Sequence, residues 1–99
     1  MDLKEYIASI EGFPKEGIVF RDVTGLLANA DAFRYACDQL ADFARRLQAD
    51  VIVAPESRGF LFGAPMAYNL HKAFIPIRKQ GKLPRATSRM SYELEYGME

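Results

Sequence analysis

Apolar positions change their period several times along the chain, and each change predicts an element. Leu3, Ile7 and Ile10 fall on one helical face. Asp2 stands before them with Glu5 three residues later, the spacing of a capping box. The expectation is a short first helix ending near Glu11-Gly12. Phe13-Pro14-Lys15-Glu16-Gly17 then reads as a loop, broken by Pro and Gly. Ile18-Val19-Phe20 is a strand-like run, closed by Arg21-Asp22. Phe33, Ala36, Cys37, Leu40, Phe43, Ala44 and Leu47 recur at threes and fours. That spacing predicts an amphipathic helix of about four turns, capped by Asn29 or Asp31. On this stripe Cys37 is expected to be a buried core thiol.

Val51-Ile52-Val53-Ala54 is wholly apolar and largely β-branched, as suits a central parallel strand covered on both faces. After a turn through Pro55-Glu56-Ser57-Arg58-Gly59, the run from Phe60 to Leu70 reads as a helix. Pro65 either kinks it or sits within its first turns. Phe74-Ile75-Pro76-Ile77 predicts a second strand, and Pro76 places it near an edge or gives it an irregular start. Strand, helix, strand is a βαβ unit. From Arg78 to Arg89 the chain is basic and without period, which predicts a mobile loop. Tyr92, Leu94 and Tyr96 then alternate with Ser91, Glu93 and Glu95, the pattern of a strand. This is too few strands and helices for a complete parallel sheet with helices on both faces. The expected architecture is the front part of a larger α/β domain.

Composition narrows the class. With 99 residues, 49% hydrophobic and 26% charged, the chain is one small globular domain, not a disordered tail or a collagen-like repeat. Its single cysteine excludes an internal disulfide. No apolar run approaches the roughly 18 residues of a membrane span. The first residues are acidic and amphipathic, unlike a secretory signal. A cytoplasmic protein with no membrane partner is expected.

Zero net charge argues against general nucleic-acid binding, but the charge is unevenly placed. Residues 1–56 hold ten acids and six bases, whereas residues 57–92 hold seven bases and no acid. One part of the molecule is therefore expected to face an anion, with a solvated basic face as the alternative.

Three segments could carry chemistry. Glu56-Ser57-Arg58-Gly59 lies at the carboxyl end of a strand and the start of a helix, where free N–H groups and the helix dipole suit a phosphate. Ser57 would add a hydroxyl, Arg58 a two-pronged cation, and Gly59 room for close approach. An ordinary capped turn is the alternative. Arg78-Lys79-Gln80-Gly81-Lys82 follows the next strand and would lie at the same sheet edge. Phe20, beside Arg21, could stack on a flat aromatic ligand or belong to the core. His71 stands near a helix end with no Cys or His at ligand spacing, so no protein metal site is expected. No Walker A loop or G-x-G-x-x-G run is present.

Four blocks resemble the adenine phosphoribosyltransferase family in order. They are Phe13-Pro14-Lys15-Glu16-Gly17-Ile18-Val19-Phe20-Arg21-Asp22-Val23, Glu56-Ser57-Arg58-Gly59-Phe60-Leu61-Phe62-Gly63, Ile77-Arg78-Lys79-Gln80-Gly81-Lys82-Leu83-Pro84 and Ser91-Tyr92-Glu93-Leu94-Glu95-Tyr96-Gly97. The resemblance implies a type I phosphoribosyltransferase fold, a parallel sheet with flanking helices and a small amino-terminal hood, incomplete at the carboxyl end. It divides the chain into a hood and adenine-contacting segment at 1–28, a sheet and helix core at 29–77, and a basic loop and flexible lid at 78–99. It implies AMP synthesis from adenine and 5-phosphoribosyl 1-diphosphate in purine salvage. Magnesium would be held mainly by the substrate diphosphate, and the protein would be a cytoplasmic homodimer.

By the same resemblance Val19, Phe20 and Arg21 hold adenine. Glu56, Ser57, Arg58 and Gly59 form the pyrophosphate loop, with a non-proline cis peptide between Glu56 and Ser57. Arg78, Lys79 and Lys82 add cations for the pyrophosphate. Arg85 to Tyr96 forms the lid. Glu95 and Tyr96 are its catalytic end, acting with Arg58. Glu16 stands where a second proline is common. The family's phosphoribosyl-phosphate motif, two acids followed by a Thr/Gly-rich loop, does not occur within residues 1–99, so the resemblance leaves open whether these residues act by themselves. The alternative is a short non-catalytic paralogue that binds purine or pyrophosphate, or dimerises with and regulates a full-length enzyme.

Overall fold

The structure, a computed structural model, describes residues 1–84. The expected strand at Ser91–Tyr96, the lid from Arg85 to Tyr96, and Glu95 with Tyr96 lie outside the described residues. The chain divides into two compact units, Met1–Gln48 and a second beginning at Ala49.

The first unit corrects the expected amino-terminal helix. The Asp2 carboxylate does cap, accepting from Lys4 N at 3.1 Å, but the turn it starts is a 3-10 helix of only four residues, Leu3–Tyr6. Residues Ala8–Glu11 then form strand β1, paired antiparallel with β2, Val19–Asp22. One helical turn is a costly nucleus, whereas pairing with β2 gives every residue of this segment a cross-strand partner, from Ala8 with Asp22 to Glu11 with Val19. The expected strand at Ile18–Phe20 is present as β2.

A short helix, α1, spans Thr24–Leu27, an element that the apolar spacing does not predict. Its signal is the Asp22 side chain, which accepts from Thr24 N at 3.0 Å and Thr24 Oγ1 at 2.8 Å. Leu26 of α1 is buried, and Gly25 passes so close to the 3-10 turn that a Cβ would lie 2.7 Å from the Tyr6 carbonyl oxygen.

The long helix α2, Ala30–Arg46, is capped by Asn29, whose Oδ1 accepts from Ala32 N at 3.0 Å. Asp31 lies in its first turn and Arg45 and Arg46 in its last, matching the helix dipole. Its buried residues are Ala32, Ala36, Ala41 and Ala44, while Leu40, Phe43 and Leu47 of the expected stripe are exposed. Cys37 is half-buried rather than fully buried. Burial, and then the neighbouring Asp38 charge, push its thiol pKa up.

The second unit is the expected βαβ unit. Strand β3, Val51–Pro55, pairs parallel with β4, Ala73–Ile77, and helix α3, Arg58–Leu70, connects them. Pro76 stands within β4 opposite Ala54. Pro65 lies well inside α3, beyond its first turn. His71 ends the helix in a left-handed conformation, φ 56°, and Lys72 N closes the end by donating to the Ala67 carbonyl at 2.9 Å.

Small residues at 59, 63 and 67 let α3 lie close on the strands. A Cβ at Gly59 would stand 2.8 Å from Pro55 Cδ, and one at Gly63 would stand 2.7 Å from Phe74 Cε1 and 3.0 Å from Ala54 Cβ. Phe60 packs edge-on against Phe74, with centroids 5.7 Å apart. Ile52 and Ala54 are buried on this side. The opposite face of the strands carries Val51, Val53, Ile75 and Ile77, all exposed, so among the described residues the sheet is covered on one face and not on both.

Candidate functional site

Three described segments carry the predicted site residues, one in the first unit and two in the second. In the first unit, Val19, Phe20 and Arg21 lie on β2, after a hairpin loop that holds a cis Phe13–Pro14 peptide. Gly12 and Gly17 flank the loop with φ of 74° and 90°, and Gly12 N donates to the Ile18 carbonyl at 2.7 Å. Phe20 is half-buried, its ring edge-on to Phe13 with centroids 5.1 Å apart. Val19 is exposed. Arg21 stands opposite Ser9 in the hairpin and donates through Nη1 to its Oγ. The hairpin therefore places an aromatic ring between two residues with exposed side chains.

In the second unit the β3–α3 loop and the segment after β4 meet. The Glu56–Ser57 peptide is cis, as the resemblance implied. Glu56 N donates to the Ile77 carbonyl at 2.9 Å, which joins the carboxyl ends of the two strands. The Glu56 carboxylate then receives three donors. Oε1 accepts from Lys79 N at 2.7 Å and Arg78 Nε at 3.1 Å, and Oε2 accepts from Lys82 Nζ at 3.4 Å. Its side chain is only 12% exposed. Between Lys79 and Lys82 the chain makes a tight turn, with Lys82 N donating to the Lys79 carbonyl at 3.2 Å and Gly81 at φ 86°. Arg78, Lys79 and Lys82 thus gather beside the start of α3, where Ser57 stands at the N-cap without a side-chain capping bond and Arg58 and Gly59 open the helix. The bare Cα of Gly59 faces Pro55 and Ala54, so its smallness serves the seating of α3.

These contacts hold the Glu56 carboxyl at about 2, below its ordinary 4.5. The Lys79 N–H is the largest cause, burial opposes it, and Arg78 and Lys82 add to it. A carboxylate with a depressed pKa stabilises the closed position of the 78–82 segment fully above about pH 4.5, and that contribution is lost as pH falls toward about 2. Carboxyl-carbon NMR should therefore show Glu56 titrating near 2, and a midpoint near 4.5 would mean that the three contacts are open in solution.

The sequence pointed to all three segments, and the structure brings the Arg78 and Lys82 side chains and the Lys79 main chain onto Glu56. What sequence reasoning missed is the use of Glu56 as their common acceptor. Its partners are 22 to 26 residues away, and only the parallel pairing of β3 with β4 places them beside it.

No protein-family model matches the chain. An adenine phosphoribosyltransferase of Clostridium acetobutylicum is 55% identical over 98% of this chain and 56% of its own length. The crystal structure of adenine phosphoribosyltransferase from Thermoanaerobacter pseudethanolicus superposes with a TM-score of 0.83 at 50% identity, over 98% of this chain and 56% of that one. The enzyme of Giardia lamblia, solved as a complex with 9-deazaadenine, superposes with a TM-score of 0.90 at 30% identity, over 97% of this chain and 53% of that one. The chain spans about half the length of these relatives. In sequence and in fold it matches the amino-terminal portion of the adenine phosphoribosyltransferases, type I phosphoribosyltransferases with a parallel sheet.

Proposed function

We propose that this chain carries the base-binding and diphosphate-binding segments of an adenine phosphoribosyltransferase, which converts adenine and 5-phosphoribosyl 1-diphosphate to AMP and diphosphate in purine salvage. The observation that carries the reading is the gathering of Arg78, Lys79 and Lys82 beside the opening of α3, at the carboxyl ends of two parallel strands. Ligands of open α/β sheets bind at that edge. The 9-deazaadenine bound by the Giardia relative supports a purine as the second ligand.

In this reading Phe20 stacks on adenine while the backbone of Val19 and Arg21 reads the edge of the base. Ser57, Arg58, Gly59, Arg78, Lys79 and Lys82 bind the diphosphate, with Glu56 part of the same loop. The bond from the anomeric carbon to the diphosphate breaks through an oxocarbenium-like transition state, and adenine forms the new bond. The cations stabilise the charge that develops on the departing diphosphate. Glu95 and Tyr96 carry over from the family's lid as its catalytic end, with Arg58. Magnesium enters with the diphosphate, as part of the substrate. A cytoplasmic homodimer completes the reading.

The test is formation of AMP from the two substrates by the native protein and by Phe20→Ala. The apparent Michaelis constant for adenine is expected to rise about 10-fold in the variant, since an aromatic stack is worth about 1–3 kcal/mol per base. An unchanged constant would refute the role given to Phe20. Binding of both ligands by the native protein without AMP formation would support a non-catalytic paralogue instead.

A further inference from the structure

Resting on the diphosphate reading above, we infer that Glu56 is a positioning residue: its carboxylate buckles the Arg78–Lys82 segment to the β3–α3 loop, so that the cations of both segments can address one diphosphate. A carboxylate in an anion site needs a reason, because a like charge opposes the ligand. The contacts supply one. Two donors, the Lys79 amide and Arg78 Nε, converge on Oε1, and Lys82 Nζ reaches Oε2. The main chain adds a fourth tie from Glu56 N to the Ile77 carbonyl.

No packing substitutes for this buckle among the described residues. Residues 78–84 are all exposed, and their one large apolar side chain, Leu83, is 39% exposed. A segment without buried apolar anchors opens at low cost unless hydrogen bonds restrain it. The bond to the Lys79 amide restrains the backbone itself, and the charge-assisted bonds to Arg78 and Lys82 restrain the side chains. Two cationic side chains, Arg78 and Lys82, on one carboxylate still leave positive charge in excess for a ligand.

The opposing idea, that Glu56 merely repels the anion, predicts the opposite sign. Inorganic pyrophosphate binding would be measured by titration calorimetry on the wild-type protein, Glu56→Ala and Glu56→Gln, together with hydrogen exchange at the Lys79 amide and the melting temperature. Positioning predicts that Glu56→Ala binds pyrophosphate about 10-fold more weakly and exchanges the Lys79 amide about 10-fold faster. Glu56→Gln, which keeps an acceptor for that amide but loses the charge, should bind about 3-fold more weakly. Both variants should melt within a few degrees of the wild type. Equal or tighter pyrophosphate binding in both variants overturns the inference, and so does a loss of affinity accompanied by general unfolding in both. If the wild type takes up no pyrophosphate, the diphosphate reading fails. The buckle is then judged by exchange alone, and an unchanged Lys79 amide in Glu56→Ala overturns it.

Discussion

Replacing Gly63 by leucine is expected to cost about 3 kcal/mol of stability, at the upper end for overpacking a filled site. The midpoint of urea unfolding should fall accordingly. Even a Cβ here would stand 2.7 Å from Phe74 Cε1 and 3.0 Å from Ala54 Cβ. The ring could swing aside, but Ala54 belongs to β3 and cannot move without shifting the strand. Leucine adds three further carbons in the same space. Gly63→Ala is the graded control. Its single carbon meets the same atoms, while the gain of up to about 1 kcal/mol in helix propensity offsets part of the cost. Substitution of Tyr68, which is 91% exposed on the same helix, should leave the midpoint unchanged. If Gly63→Leu unfolds at the wild-type midpoint, α3 is not seated on β3 and β4 as described.

Arg58→Ala is expected to weaken pyrophosphate binding by about 10- to 100-fold, the span of roughly 1.5–3 kcal/mol for a hydrogen bond to a charged group. Arg58 is the first residue of α3, so its guanidinium adds to the partial positive charge and the N–H groups of that helix end. A diphosphate offers the paired oxygens that a guanidinium fork matches. Adenine binding should change by less than about 2-fold, because the base is assigned to Val19, Phe20 and Arg21 and not to Arg58. Competition titrations with pyrophosphate and adenine on the same variant separate the two. Equal losses for both ligands would mean that Arg58 acts through the fold and not through the anion.

Much of this was legible in the chain. The alternation of apolar runs and turns located β2, β3, β4, α2 and α3, and Asn29 was one of the two residues named as the cap of α2. The amino-terminal segment misled because Leu3, Ile7 and Ile10 satisfy a helical period that pairing with β2 overrides. The stripe of α2 misled differently. Its spacing correctly predicted a helix, but alanines took the buried positions while Leu40, Phe43 and Leu47 stayed exposed, and period alone does not rank members of a face by depth. In the candidate site, the residue types and their order pointed to an anion. The pairing inside the cluster was not legible, since charge along a chain does not say which acid meets which base. The spacing of Gly59, Gly63 and Ala67 is present in the sequence, and as one stripe of small residues on a helix it marks the face that approaches β3 and β4 closely.

The bond between the Glu56 carboxylate and Lys79 has a consequence for how this protein can vary. The carboxylate takes the main-chain amide of residue 79, so that contact is indifferent to the side chain there. Any residue except proline can supply it. Position 79 can therefore exchange one side chain for another, tuning the charge offered to a ligand, while the course of the backbone is inherited unchanged. Position 56 has no such freedom, since its side chain is the shared acceptor on which the neighbouring segment depends.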